Sequence, residues 1–160
     1  MRDLTILAVS DDAAWLSLFW SVVRGFTGAR LVIARSLEEA GELVDCTLPD
    51  MIAIDWSSGD RRWEEMDQLL WSNSILPRQA TVLVTDEAYR DDTALELFRA
   101  GVDEYLSLLD HPRDLPRILG QWLGRPVAPA PTRAAADPGP VIRLPRVPSA
   151  IDEVAVATSA

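Results

Sequence analysis

Five short runs rich in Val, Ile and Leu recur along the chain, at Leu4–Val9, Arg30–Ala34, Met51–Ile54, Thr81–Val84 and Glu104–Leu108. Each has about the length of a strand and is apolar at nearly every position. A strand with one wet face alternates between apolar and polar residues, whereas one covered on both faces need not. The runs therefore predict parallel strands buried on both sides. The segments between them follow a helical period. Residues 13–24 place Leu16, Phe19, Trp20 and Val23 on one face. Ser36 with Glu39 has the spacing of a capping box that opens a second helix. Trp63, Met66 and Leu70 form the stripe of a third. A fourth spans 91–100, with Leu95 and Phe98 inward, and stops at Gly101. The fifth opens at Asp114 and carries Leu115, Ile118, Leu119 and Trp122. Five strand–helix repeats predict an open α/β sandwich with helices on both faces of one sheet.

This pattern ends at Pro126. Seven of the eleven prolines fall between Pro126 and Pro148, interleaved with Ala. Such a stretch resists helix and sheet and favours extended conformations. The expected division is a folded domain at 1–125 and a Pro/Ala-rich tail at 126–160. Within the tail, Val141–Val147 is apolar and basic, and Ile151–Val156 follows it. Segment 141–156 is read either as part of a disordered tail or as a peptide that docks on this domain or a partner.

Charge and composition narrow the chemistry. Of the 160 residues 15 are basic and 25 acidic, for a net charge of −10. Residues 1–125 carry that whole deficit, which argues against nucleic acid as a direct ligand. Every basic residue is Arg, so no reaction here can use a lysine ammonium. One Cys and one His leave no disulfide framework, zinc cluster or Ser-His-Asp triad. Cys46 is expected to pack at the end of the second helix and His111 to sit exposed in a loop. Trp63 and Trp71 are expected in the core, and Arg61 and Arg62 at a solvated helix start. The apolar stretch Ala13–Val23 is about half a membrane span, and Asp11 and Asp12 interrupt the run before it, which spoils a secretory signal. A cytoplasmic protein without membrane insertion is expected.

Open parallel sheets bind ligands at the carboxyl ends of their strands. The first strand ends in Ser10, Asp11 and Asp12, the third in Asp55, and the fourth in Thr85, Asp86 and Glu87. Asp11, Asp12 and Asp55, from two neighbouring strands, are expected to converge as a hard-oxygen site suited to Mg2+.

With the acidic pair Asp11 and Asp12, Asp55 before Trp56, Thr85 closing the fourth strand, and Ala100–Leu106 entering the fifth, residues 3–124 resemble the receiver domain of bacterial two-component response regulators. The resemblance implies a flavodoxin-like, doubly wound sheet of order 2-1-3-4-5. It implies Asp55 as phospho-acceptor, Asp11 and Asp12 with Asp55 as metal holders, Thr85 as the hydroxyl that turns to the phosphoryl group, and Tyr105 as the aromatic whose rotamer reports activation. The chain departs from the family's pattern at several places. Leu108 stands where the family has a Lys, and Leu109 where a proline follows it. Asp86 intrudes where a small residue is usual, and Gly59 replaces a proline after the acceptor.

The first helix carries a second apolar stripe, Trp15, Leu18 and Val22. Helix one is where histidine kinases and phosphotransfer proteins commonly dock on receivers, so these residues are the candidate partner contacts. Segment 126–160 is expected to be too short and proline-rich to form an output domain. The expected function is therefore that of an atypical single-domain signalling adaptor. It would not be an enzyme, would act through a protein partner or a homodimer, and would lack the usual phosphorylation switch. Two alternatives stand beside it: a phosphorylatable regulator accepting phosphate at Asp55, and an assembly subunit that reuses the fold.

Overall fold

The computed structural model describes residues 3–57, 62–111 and 113–123. Gly59, Arg61 and the whole of 126–160, including the candidate docking segment 141–156, lie outside the described residues. Strands β1 (Leu4–Val9), β2 (Ala29–Ala34), β3 (Met51–Asp55), β4 (Thr81–Asp86) and β5 (Glu104–Ser107) alternate with helices α1 (Ala13–Val23), α2 (Leu37–Thr47), α3 (Trp63–Ser74), α4 (Asp91–Ala100) and α5 (Asp114–Leu123). The strands pair in parallel in the order β2-β1-β3-β4-β5. This is the doubly wound sheet expected from the sequence.

Every residue of β1 and β3 is buried, as unbroken apolar runs require. Their side chains alternate between two cores. Leu7, Val9, Ile52 and Ile54 pack with α2, α3 and α4. Ile6, Ala8, Met51 and Ala53 pack with α1 and α5. Ser36 caps α2 by accepting the Glu39 amide at 3.1 Å, while the Glu39 carboxylate takes the Arg35 amide at 2.6 Å. That is a capping box shifted by one residue.

Two helices are turned from the faces their apolar residues suggested. In α4 the buried side chains are Thr93, Ala94 and Leu97, while Leu95 and Phe98 stand 50% and 45% exposed. The smaller residues let the helix seat closely on the sheet, and Leu97 alone supplies bulk. In α1 the buried row is Trp15, Phe19 and Val23, with Leu16 and Trp20 only partly covered. Trp71 is exposed rather than in the core, and so is Cys46, whose thiol leans on the Leu43 carbonyl. His111 is exposed, as expected.

Two glycines test the backbone reading. Gly101 ends α4 at φ +109, where a side chain is strained even though nothing lies within 4 Å of its Cβ position. Gly41 lies inside α2 and also has open space there. Gly101→Ala is expected to lower stability by about 1 kcal/mol, and Gly41→Ala to raise it by about 0.5–1 kcal/mol. Thermal unfolding of the two variants checks this, and the opposite order would contradict it.

Candidate functional site

Parallel strands end together, and their register decides what meets at that edge. Asp55 lies opposite Thr85, and Asp86 opposite Ser107. Thr85 and Ser107 are wholly buried, and Asp86 and Asp55 are 2% and 8% exposed. A carboxylate so placed must find hydrogen-bond donors or destabilise the fold. Here the chain supplies neutral ones.

Asp55 is held from two sides. The Ser10 hydroxyl donates to Oδ2 at 2.7 Å, and Ser57 donates to Oδ1 through its hydroxyl at 2.6 Å and its amide at 3.2 Å. Ser10 Oγ also accepts the Asp12 amide at 3.0 Å, which ties the start of α1 to the same group. Thr85 is met from above: the Trp15 indole Nε1 donates to its hydroxyl oxygen at 2.8 Å. Trp15 is stacked on Phe19, with ring centroids 4.9 Å apart and planes 6° from parallel. Trp56, beside Asp55, sets its ring edgewise on Trp63, and its buried indole N–H finds no acceptor among the described residues.

Asp86 belongs to a second set of contacts. Its Oδ2 accepts the Tyr105 hydroxyl at 2.9 Å, and its Oδ1 accepts the Glu87 amide at 2.7 Å. Ser107 donates to the Glu87 carbonyl at 3.0 Å, and the Leu109 amide reaches the same oxygen at 3.3 Å. Beyond it, Asp110 accepts the Tyr89 amide at 3.4 Å. The Asp110 carboxyl lies below the usual carboxylate range, chiefly through the Ser107 side chain and then the Tyr89 amide.

The structure brings Asp55, Thr85 and Asp86 to one edge, where the Tyr105 hydroxyl reaches Asp86. It corrects three expectations. First, Asp11, Asp12 and Asp55 do not gather into a metal site. Asp11 and Asp12 are exposed, and the Asp12 carboxylate is turned to cap α1 through the Ala14 amide at 2.8 Å. Among the described residues no group of three or more His, Cys, Asp or Glu side chains could hold a metal ion. Second, Trp15 is no partner contact, because it is 5% exposed and spends its N–H on Thr85. Of its proposed stripe Leu18 is exposed and Val22 half-buried. Third, Asp86 does not merely crowd the pocket, since it binds Tyr105. Leu108 is a half-buried part of the core on the α1 and α5 side and brings no charge.

Sequence reasoning missed the roles of Ser10 and Ser57. The signal available was a hydroxyl next to each acidic strand end, with Ser57 two residues beyond Asp55, a spacing at which side chain and backbone bond locally.

No family model matches this chain, and no curated protein does. Solved structures do. The chain is similar to a receiver domain (CheY-like) from Methanospirillum hungatei, with 20% identity, 77% of this chain and 95% of that one covered, and a TM-score of 0.63. It is similar to the response regulator domain of Thermotoga maritima CheB, with 16% identity, coverage of 77% and 96%, and a TM-score of 0.62. It is also similar to the Mn2+-bound form of response regulator Rcp1, with 21% identity, coverage of 79% and 99%, and a TM-score of 0.61. The chain thus has the fold of response-regulator receiver domains.

The corrected position of Trp15 has a measurable consequence. Trp15→Glu is expected to cost about 3–5 kcal/mol, because it empties a packed site and buries a charge. Leu18→Glu, on the exposed side of the same helix, should change stability by less than about 0.5 kcal/mol. Urea denaturation of both variants checks this, and equal effects would contradict it.

Proposed function

We propose that this protein is a receiver-fold signalling adaptor that acts by binding other proteins and does not depend on phosphorylation of Asp55. The observation that carries the reading is the state of that carboxylate. Both its oxygens accept hydroxyl donors from Ser10 and Ser57, while Leu108 offers no cation to balance a phosphoryl group. A phosphorylated Asp55 would need partners for a group of about two negative charges. The strand ends instead carry a further carboxylate at Asp86, and like charge opposes ionised phosphate nearby. An apolar Leu108 supports the same reading, since stabilising a transferred phosphoryl group is chiefly electrostatic.

Protein contact is supported by large apolar side chains at the surface. Leu18 on α1 and Leu95 and Phe98 on α4 are all close to half exposed. The partner would be a histidine kinase, a phosphotransfer protein, an assembly component or a second copy of this chain. No helix among the described residues is long and apolar enough to cross a membrane, and we place the protein in a bacterial cytoplasm. Nothing in this reading requires it to be an enzyme.

One observation favours a second reading, in which Asp55 accepts phosphate. Asp55 and Thr85 are register partners on adjacent strands, and one protein of similar fold is a phosphorylated cyanobacterial phytochrome response regulator. Intact-protein mass spectrometry after incubation with acetyl phosphate and Mg2+ separates the two. We expect no adduct. A Mg2+-dependent gain of one phosphoryl group, lost in Asp55→Asn, would overturn the first reading.

A further inference from the structure

We infer that Trp15 is a positioning residue whose indole N–H holds the Thr85 hydroxyl off Asp55, so that α1, and not a group carried on Asp55, decides where that hydroxyl points. The inference rests on the reading just proposed and deepens it to the regulation of the same site. Asp55 and Thr85 are register partners on parallel strands, so their side chains leave the sheet on one face. Ala53 and Leu83, two residues earlier on each strand, share that face and belong to the core formed with α1 and α5. A hydroxyl beside a carboxylate has its strongest acceptor there, yet among the described residues no hydrogen bond joins this pair. Asp55 takes Ser10 and Ser57 instead. The Thr85 oxygen accepts the Trp15 indole at 2.8 Å, and its one proton is directed to the Ile54 carbonyl, 3.4 Å away.

The indole prevails because it has no alternative. Its N–H can only donate, and a buried donor left unpaired costs more than an ordinary hydrogen bond contributes. The ring is not free to swing to another acceptor. It is stacked on Phe19, one helical turn further along α1, with planes 6° apart. Thr85 is constrained from its own side as well, being wholly buried and, as a β-branched residue, stiff about χ1. Turning its hydroxyl to Asp55 carries the oxygen away from Trp15 and strands the indole. The start of α1 therefore acts on both members of the pair. Trp15 takes the Thr85 hydroxyl, and the Asp12 amide ties the helix to Ser10 Oγ, which donates to Asp55. Movement of α1, whose outer face carries exposed Leu18, is the event that would free Thr85.

Three-bond couplings about Thr85 χ1, measured by NMR on the full chain, test this assignment. In the wild type they should report one rotamer. Trp15→Phe keeps a ring to stack on Phe19 and removes the donor, and should lower the ratio of that rotamer to the others by roughly fivefold or more. Couplings in Trp15→Phe equal to the wild type would overturn the inference. The reciprocal experiment reads the indole. Its proton resonance should move upfield in Thr85→Val, which removes the acceptor, and return in Thr85→Ser, which restores it. An indole proton unmoved in Thr85→Val would overturn the inference as well. Acetyl phosphate with Mg2+ should leave the wild-type couplings as they were. A phosphoryl adduct seen by mass with unchanged couplings would sink the phosphorylation-independent reading and leave Trp15 in its role. An adduct that turns Thr85 would overturn both.

Discussion

The arrangement depends on one requirement: two carboxylates, Asp55 and Asp86, sit at the buried ends of neighbouring strands and must be satisfied there. In a low-dielectric setting an unpaired polar group is expensive, and a network that is fully paired becomes rigid. This chain pairs its carboxylates with hydroxyls and amides. Ser10 and Ser57 take Asp55, and Tyr105 and the Glu87 amide take Asp86. Ser10 and Tyr105 reach across from other strands, so satisfying the acids also ties neighbouring strands together, while Ser57 and the Glu87 amide bond locally.

The sheet makes this possible. Its central strands are buried on both faces, which fixes their register and brings Asp55, Thr85, Asp86 and Ser107 to one edge. From that edge the ties run outward in two directions. Trp15 joins Thr85 to α1, and Tyr105 joins Asp86 to the loop before α4. Helix α1, with exposed Leu18, and the loop leading to α4, with exposed Leu95 and Phe98, are thus tied to the polar network at this edge. A module that works by contact benefits from such a fixed frame, since little ordering is left to do on binding.

The strands, their order and the acidic strand ends were legible because each follows from local pattern: continuous apolar runs, helical spacing, and carboxylates where a strand stops. The rotation of α1 and α4 was not. Both helices carry two apolar stripes, and amphipathic spacing cannot rank them. What chose between them was tertiary. Trp15 turns inward because Thr85 gives its N–H an acceptor and Phe19 gives its ring a stacking partner, and α4 turns its small residues inward because they fit. The carboxylates themselves misled for a similar reason. Asp11, Asp12 and Asp55 share a strand-end position, but Asp12 is claimed by the helix it precedes. Cys46 and Trp71 were placed inside by residue-type averages, which carry no information about which face they occupy.

The strand ends are closed by the chain's own hydrogen bonds, and the Trp15 indole N–H reports this most directly. Its proton resonance can be picked out among the six tryptophans by its loss in Trp15→Phe. Slow exchange with water, unchanged on adding Mg2+, is the expected result. Exchange as fast as that of the exposed Trp71 indole, or a shift that follows Mg2+, would contradict the account.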